Sequence, residues 1–393
     1  MRKKATSLII FLSFTSFLFS QTDTSNVHIP WNWDKLSITG SYKNGRLMPT
    51  NVFVRGSNTN SVVLDDYQQF SLQLTSQSTG DHLWEQLCNY PRWGVAISAN
   101  DFFDKAEIGI PIGVYGFISS PFFRINRFSL NYDLGFGLSF NWKSFNPTTN
   151  QYNVAIGAGQ AFMSNAALQL EYALTNRIDI MGGLGFSHFS NGAIKLPNFG
   201  FNVVAPKVSV KYNFYERPKF IKHEIPKFNA NNEWVFSAFA GMKNIIYDSL
   251  NVTLSEHYKG VFFPVYGISA LFNRRISYAS KIGMGMTLNY NESVNAQVAI
   301  DNREIEDIDG PLGDKIQLSI YPSYEICADK VSLVLQPAFY ILRKASKNQS
   351  PVFHQRIMIK YHISDNVFAG ITLRDFDIHA DFVEWTVGYR ISK

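Results

Sequence analysis

Two side chains near the middle of the chain, His188 and Ser190, have the types and the spacing that serine-based acyl transfer requires. In an extended strand, residues two positions apart lie roughly 6.6 Å apart at Cα and point to the same face. From there an imidazole can take the proton of a serine hydroxyl, which makes the serine nucleophilic. The pair is therefore a candidate for acyl-transfer chemistry, in which Ser190 would be the nucleophile and His188 the base.

The segment after the pair supplies hydrogen-bond donors. Asn191 and Asn198 carry side-chain amides, and Gly192 leaves its backbone N–H accessible; donors of this kind stabilise the oxyanion of a tetrahedral intermediate. Asn202 follows near the start of the next strand, where its amide oxygen can accept the imidazole N–H of His188 and fix the tautomer. This short segment therefore holds candidates for every group of a serine esterase, although a His-x-Ser pattern alone also occurs among polar residues at the rim of a sheet.

The element that must position the pair is a strand from Ile178 to Ser190. Its even positions are mainly apolar and its odd positions mainly polar or small, apart from Met181 and Phe189. Because side chains alternate between the two faces of a strand, His188 and Ser190 continue the apolar face at its far end. An enzyme that cuts acyl chains from membrane lipids needs its nucleophile on such an outer wall.

The same alternation recurs along much of the chain. From Phe128 to Trp142, apolar residues occupy every even position and polar or small residues every odd one. Similar runs lie at 282–290, 316–326, 331–341 and 383–391. Strands of soluble sandwiches are usually about five or six residues long, and these runs are roughly twice that length. The pattern predicts an all-β fold, a transmembrane antiparallel β-barrel of about 12–16 strands.

The N-terminus has the pattern of an export signal. Basic residues 2–4 precede an apolar run from Leu8 to Phe19, and the small Ser20 stands before Gln21. This order of basic, apolar and small residues is typical of a cleaved signal peptide, here residues 1–20. We therefore expect an exported protein located in the outer membrane.

The remaining chain, 21–393, is interpreted as a single barrel. Within it we assign the candidate catalytic region to 34–214 and further barrel strands to 232–393. Outer-membrane barrels have short turns at one end and long loops at the other. The connections 77–91 and 215–231 are longer than expected for the short-turn end, but the interpretation includes no linker and no second domain.

Composition excludes several other classes of protein. Lys and Arg are scattered and the net charge is only +5, so nucleic acid is not an expected partner. The chain has no run of 18 apolar residues, which argues against transmembrane helices. Aromatic residues make up 15% of the sequence, and aromatic belts are typical of barrel–membrane interfaces.

No cofactor or metal site is expected. Cys88 and Cys327 lack metal-binding spacing, and the sequence leaves open whether they form a disulfide. Four polar residues of one parity lie near the last hairpin: Asp375, Asp377, His379 and Asp381. A polar loop explains these four residues better than a metal site.

Residues 77–214 resemble the lipid A 3-O-deacylase family of outer-membrane barrels, including its acyloxyacyl-hydrolase-like members. The resemblance rests on His188-Phe189-Ser190-Asn191, on Pro197-Asn198-Phe199-Gly200, and upstream on Trp84-Glu85-Gln86 and Asn89-Tyr90-Pro91-Arg92-Trp93-Gly94. It implies a serine esterase that removes an acyl chain from the lipid A of lipopolysaccharide. It also implies Ser190 as nucleophile, His188 as base and Asn198 near the oxyanion. The family's acidic third member falls where this chain has Asn202.

Outer-membrane phospholipase A is similar in its His-x-Ser-Asn-Gly pattern with a later asparagine, which matches residues 188–192 and Asn202. That resemblance implies a phospholipid substrate and bound calcium. The segment 191–202 contains no Asp, Glu or Arg, and its Pro-Asn-x-Gly element favours the deacylase. A non-catalytic channel or structural barrel remains a third interpretation, and a homodimer is left open. Lys195 and Lys207 could contact lipid phosphates, although exposed lysines need no special role.

Overall fold

The computed structural model describes residues 33–245, 261–302, 311–345, 351–376 and 379–392. The predicted signal peptide lies outside the described residues. The described chain contains sixteen β-strands, and none of its helices is long and apolar enough to cross a membrane.

The first eight strands form one closed antiparallel barrel, in which β1 pairs with both β2 and β8. The strands are β1 (Leu36–Leu47), β2 (Asp66–Gln77), β3 (Arg92–Asp101), β4 (Gly109–Ile125), β5 (Phe128–Trp142), β6 (Gln160–Ala173), β7 (Ile178–Ser190) and β8 (Phe201–Asn213). A 3₁₀ turn, Trp33–Lys35, precedes β1, and the short helix α1 (Leu83–Leu87) lies between β2 and β3.

The last eight strands form a second closed barrel, in which β9 pairs with both β10 and β16. The strands are β9 (Asn232–Lys243), β10 (Phe263–Ser277), β11 (Ser280–Asn291), β12 (Ile316–Ala328), β13 (Val331–Leu342), β14 (Phe353–His362), β15 (Val367–Phe376) and β16 (His379–Ser392). Helices α2 (Ser293–Asn302) and α3 (Leu312–Lys315) lie between β11 and β12.

The predicted all-β antiparallel fold and the upper strand number are confirmed, but the prediction of a single barrel from 21 to 393 is wrong. Strand alternation records which face is apolar, and it carries no information about which distant strand closes the ring. Here β8 returns to β1, so that Tyr42 pairs with Val208, and the ring closes after eight strands. The long connection 215–231 is the link between the two barrels, and α1 accounts for the length of 77–91.

The alternation sorts side chains as predicted. On β7, Ile180, Leu184 and Phe186 are exposed on the outer face, while Asp179 and Ser187 are buried inside. An eight-stranded barrel is just wide enough for side chains to fill it. The outer wall is therefore apolar, and each interior holds buried polar and charged side chains together with smaller hydrophobic clusters.

Ion pairs fill the first barrel. Arg92 pairs with Glu171 at 2.6 Å, and Lys207 pairs with Asp133 at 2.9 Å. Lys207 is therefore an interior residue, and the expectation that it meets lipid phosphates is wrong. Its position on β8 has the parity of the polar inner face, a signal that the sequence already contained.

The second barrel is filled in the same way. Arg356 and Arg374, each 1% exposed, both pair with Glu384, at 2.8 and 2.6 Å. Lys243 pairs with Asp381 at 2.7 Å. Both lumens are thus occupied by side chains, which argues against the interpretation of a wide channel in the described part of the chain.

Candidate active site

Strand pairing places the candidate catalytic residues on the outer face at the loop end of the first barrel. His188 on β7 stands opposite Asn202 on β8, and Ser190 stands opposite Phe162 on β6. The pair Phe189 and Phe201 points the other way, into the barrel. The register of β7 with β8 therefore brings together residues that the sequence separates by a ten-residue loop.

The interior behind the site is an aromatic cluster. Phe189 and Phe201 are fully buried and pack with Phe102 and Trp142. The rings of Trp142 and Phe201 stack at 5.5 Å between centroids. Because close-packed aromatic side chains have few alternative arrangements, this cluster holds the backbone of both strands where the outward residues need support.

Asn202 orients the imidazole of His188. Its Oδ1 lies 2.7 Å from His188 Nδ1, and its Nδ2 donates to Thr50 Oγ1 at 3.2 Å. With its nitrogen donating to Thr50, the amide of Asn202 turns its oxygen towards the ring, where Oδ1 accepts a hydrogen bond from Nδ1–H. Nε2 is then the ring nitrogen that carries the free lone pair, as a general base requires.

Two N–H donors converge on Ser190. Asn198 Nδ2 lies 2.8 Å from Ser190 Oγ, and the backbone N–H of Gly192 lies 3.1 Å from it. The backbone N–H of Asn191 donates to Asn198 Oδ1 at 2.8 Å and thereby fixes the orientation of that amide. A side-chain amide and a backbone N–H around a nucleophile are the usual components of an oxyanion hole.

Within the described chain, Ser190 Oγ makes hydrogen bonds to these donors and none to His188. The hydroxyl thus occupies the position where the two donors would hold an oxyanion. For His188 to act as a base, the hydroxyl would have to turn towards the imidazole, which would leave the two donors free for the substrate oxygen. Catalytic hydrogen bonds are often long or absent until substrate binds, so this arrangement is compatible with a resting site.

The loop between β7 and β8 requires glycine where it passes the imidazole. Gly200 has φ of 71°, a left-handed conformation, and a Cβ there would lie 2.8 Å from the carbonyl oxygen of Phe189 and 3.2 Å from His188 Cε1. The Gly200 N–H donates to Ala155 O at 2.9 Å, and its carbonyl accepts from Asn51 Nδ2 at 2.8 Å. Neighbouring loops therefore hold the segment on both sides.

All six residues predicted for the site lie together, with one difference of position. Asn202 contacts the His188 imidazole, and Asn198 and Gly192 face the Ser190 hydroxyl. Asn191 faces the loop instead: its backbone N–H is used by Asn198, and its side-chain amide donates to Lys195 O at 2.6 Å. Thr50 was missed, because no local pattern links the loop after β1 to the end of β7.

Comparison with known proteins gives two family matches. The model described as "Lipid A 3-O-deacylase (PagL)" matches residues 68–212, and the model described as "Acyloxyacyl hydrolase, C-terminal domain" matches 232–393. The first match spans β2 to β8, and the second spans the entire second barrel. No curated protein sequence matches the chain.

Among solved structures, the chain is similar to Neisserial surface protein A, with 8% identity over 46% of this chain and 97% of that one, and a TM-score of 0.30. It is similar to CdiB from Escherichia coli, with 11% identity over 91% of this chain and 63% of that one, and a TM-score of 0.22. The two family matches together cover most of the sequence and contain every residue of the site except Thr50. The chain belongs to the lipid A 3-O-deacylase family of outer-membrane enzymes.

Proposed function

We propose that this lipid A deacylase hydrolyses its ester substrate with Ser190 as nucleophile and His188 as general base. The observation that carries the proposal is the convergence of Asn198 Nδ2 and the Gly192 N–H on Ser190 Oγ, beside an imidazole oriented by Asn202. A surface serine with no catalytic role needs neither feature.

The reaction follows from these positions. His188 Nε2 takes the hydroxyl proton as Ser190 Oγ attacks the ester carbonyl, and the negative charge on the carbonyl oxygen is stabilised by the two N–H donors. The intermediate collapses when the C–O bond to the sugar breaks and the proton on His188 passes to the departing sugar oxygen, which leaves an acyl-serine. Water, deprotonated by His188, then releases the fatty acid and restores the free serine.

The neutral third residue matters for the rate. In a Ser-His-Asp triad, the carboxylate fixes the tautomer of histidine and also stabilises the imidazolium that forms. Asn202 performs the first task because Thr50 Oγ1 holds its Nδ2 away from the ring. It carries no charge for the second task, so we expect slower turnover than a carboxylate would support.

The place of the site on the barrel suits a lipid substrate. Phe186 and Leu184, exposed on the same face of β7, lie below His188 towards the membrane interior. The long loops of outer-membrane barrels face the outside of the cell, where lipopolysaccharide forms the outer leaflet. An acyl chain could lie along this wall while its ester reaches Ser190.

We also propose that residues 1–20 direct the chain to this membrane, which N-terminal sequencing of the mature protein would test.

One observation favours a second candidate, a phospholipase: Ser190, His188 and Asn202 form a Ser–His–Asn arrangement. Both candidates can be tested with the purified full chain in vesicles of either lipopolysaccharide or glycerophospholipid. We expect mass spectrometry to show loss of one ester-linked acyl chain from lipid A, and no loss with Ser190→Ala. Release of lysophospholipid with intact lipid A would favour the phospholipase, and hydrolysis by Ser190→Ala would refute the serine mechanism.

A further inference from the structure

The second barrel touches the loop that carries the oxyanion donors. Asn244, directly after β9, donates its side-chain N–H groups to the carbonyl oxygens of Ala193 and Ile194, at 2.9 and 3.2 Å. These two carbonyls belong to the loop between β7 and β8 of the first barrel. One side-chain amide of the second barrel therefore holds two consecutive peptide groups beside the site.

The turn that Asn244 holds has an unfavourable backbone conformation. Gly192 and Ala193 have φ of 65° and 59°, and left-handed conformations are disfavoured for a residue that carries a Cβ, such as Ala193. This turn sets the direction of the Gly192 N–H, which lies 3.1 Å from Ser190 Oγ. A backbone of this kind persists where surrounding contacts determine it, and the contacts from Asn244 are of that type.

A second contact comes from β16. Val383 and Val387 lie on the same outward face, yet Val387 is 61% exposed and Val383 only 6%. A Cβ at Gly192 would stand 2.8 Å from Val383 Cγ2 and 3.2 Å from Phe162 Cε2. Val383 is thus covered at the turn between Ser190 and Asn198, on a face that is otherwise open.

We propose that the second barrel is a positioning element of the catalytic centre, in which Asn244 and Val383 hold the 192–194 turn so that the Gly192 N–H stays aimed at the reacting oxygen. This inference rests on the proposed serine mechanism. It assigns a role to the C-terminal half of the chain, whose described residues supply no group that reacts in the proposed mechanism. The two residues act on the oxyanion donor and not on substrate binding.

The contact has a specific kinetic signature. The oxyanion donor is needed only when charge develops on the substrate oxygen. A variant in which this donor is misaligned therefore has a lower kcat and a nearly unchanged KM. Loss of a contact that only holds the barrels together would lower stability without lowering kcat at unchanged KM. The sharpest variant is Asn244→Asp, since it keeps the shape but places a carboxylate against two carbonyl oxygens.

The test compares full-length Asn244→Asp, Asn244→Gln and Val383→Ala with wild type, using lipopolysaccharide in vesicles, with Val387→Ala as the matched control on the same face of β16. We expect Asn244→Asp to lower kcat about tenfold, a fraction of what loss of an oxyanion donor costs, with KM within about twofold of wild type. Asn244→Gln and Val383→Ala should each lower kcat less than Asn244→Asp does. Val387→Ala should leave kcat at the wild-type value. Heat-modifiable migration on denaturing gels, compared for boiled and unboiled samples, checks that each variant folds.

Hydrogen exchange of residues 191–198 gives a readout that does not depend on activity. Faster exchange there in Asn244→Asp, together with the fall in kcat, supports the proposal. Unchanged kcat in a folded Asn244→Asp protein overturns it, whatever the exchange shows. If Ser190→Ala keeps the wild-type rate, the serine mechanism itself fails, and that result is distinguishable because it does not involve the second barrel.

Discussion

The two barrels share strand number, strand order and lumens that contain buried ion pairs, yet among the described residues only the first carries the candidate catalytic residues. The outer face of β7 ends in His188 and Ser190 at its loop end, whereas the outer face of β16 has Val383 near its loop end. The connection after β7 has ten residues, 191–200, and the connection before β16 has two. The proposed chemistry therefore requires an outward polar pair together with a loop long enough to return donors to it.

The two barrels also have different roles in the proposed catalytic site. In the proposed mechanism, the first barrel supplies the nucleophile, the base and both oxyanion donors. The second supplies contacts to the loop that holds one of those donors. Changes in the first barrel's outer face should therefore abolish activity, and changes within the second barrel's lumen should not.

The largest effect is expected for Ser190→Ala. Loss of the nucleophile should lower kcat by about 10⁴-fold or more, as it does in other serine hydrolases. The matched control is Ser187→Ala, since Ser187 lies on the same strand but points into the barrel. Fatty-acid release measured for both variants checks this, and equal activity of the two would contradict the assignment of Ser190 as the nucleophile.

The next effect is expected for Asn198→Asp. The substitution keeps the size of the side chain, removes one oxyanion donor and places a negative charge beside the developing oxyanion. We expect kcat to fall about 10²–10³-fold with little change in KM. Steady-state kinetics on lipopolysaccharide provides the measurement, and a KM effect of the same size as the kcat effect would instead assign Asn198 to substrate binding.

A smaller effect is expected at Thr50. Thr50→Val removes the acceptor that orients the Asn202 amide, so the amide can turn its nitrogen towards His188 and disfavour the productive tautomer. We expect kcat to fall about tenfold. In the Asn202→Asp background both terminal atoms are oxygens, and Thr50→Val should then have almost no effect.

The double-variant cycle separates this role from simple packing. Asn202→Asp alone should raise kcat, since a carboxylate also stabilises the imidazolium. If Thr50→Val costs the same in both backgrounds, Thr50 acts through loop stability and not through the orientation of Asn202.

The smallest effect on activity is expected for Glu384→Gln in the second lumen. Glu384 is shared by Arg356 and Arg374, and removal of one partner from a buried charge cluster typically costs about 3–5 kcal/mol of stability. We expect lower resistance of the barrel to denaturant with kcat unchanged in the folded protein. A large loss of kcat at full folding would mean that the second lumen takes part in the chemistry.

The strand faces and the grouping of His188, Ser190 and Asn202 could be predicted from the sequence, because both depend on local spacing. Period-two alternation placed His188 and Ser190 outward, and the position of Asn202 at the start of β8 suggested its contact with the imidazole. Closure after eight strands could not be predicted, since it depends on pairing between β1 and β8 across the whole first barrel.

The supporting residues escaped prediction for the same reason. Thr50, Asn244 and Val383 each reach the site from another part of the chain. No spacing in the sequence relates them to Ser190, and only closure of two separate rings brings them there. Lys207 is a different case, because parity along β8 alone shows that it points inward.

Covalent labelling of the nucleophile tests the central claim most directly. A serine-directed phosphonate is added to the reconstituted protein, and the modified residue is located by peptide mass spectrometry while lipid A deacylation is followed. The account predicts modification of Ser190, loss of activity in proportion to labelling, and no labelling of a folded His188→Ala variant. Full deacylation by protein labelled at Ser190, or inactivation through another residue with Ser190 unmodified, would contradict it.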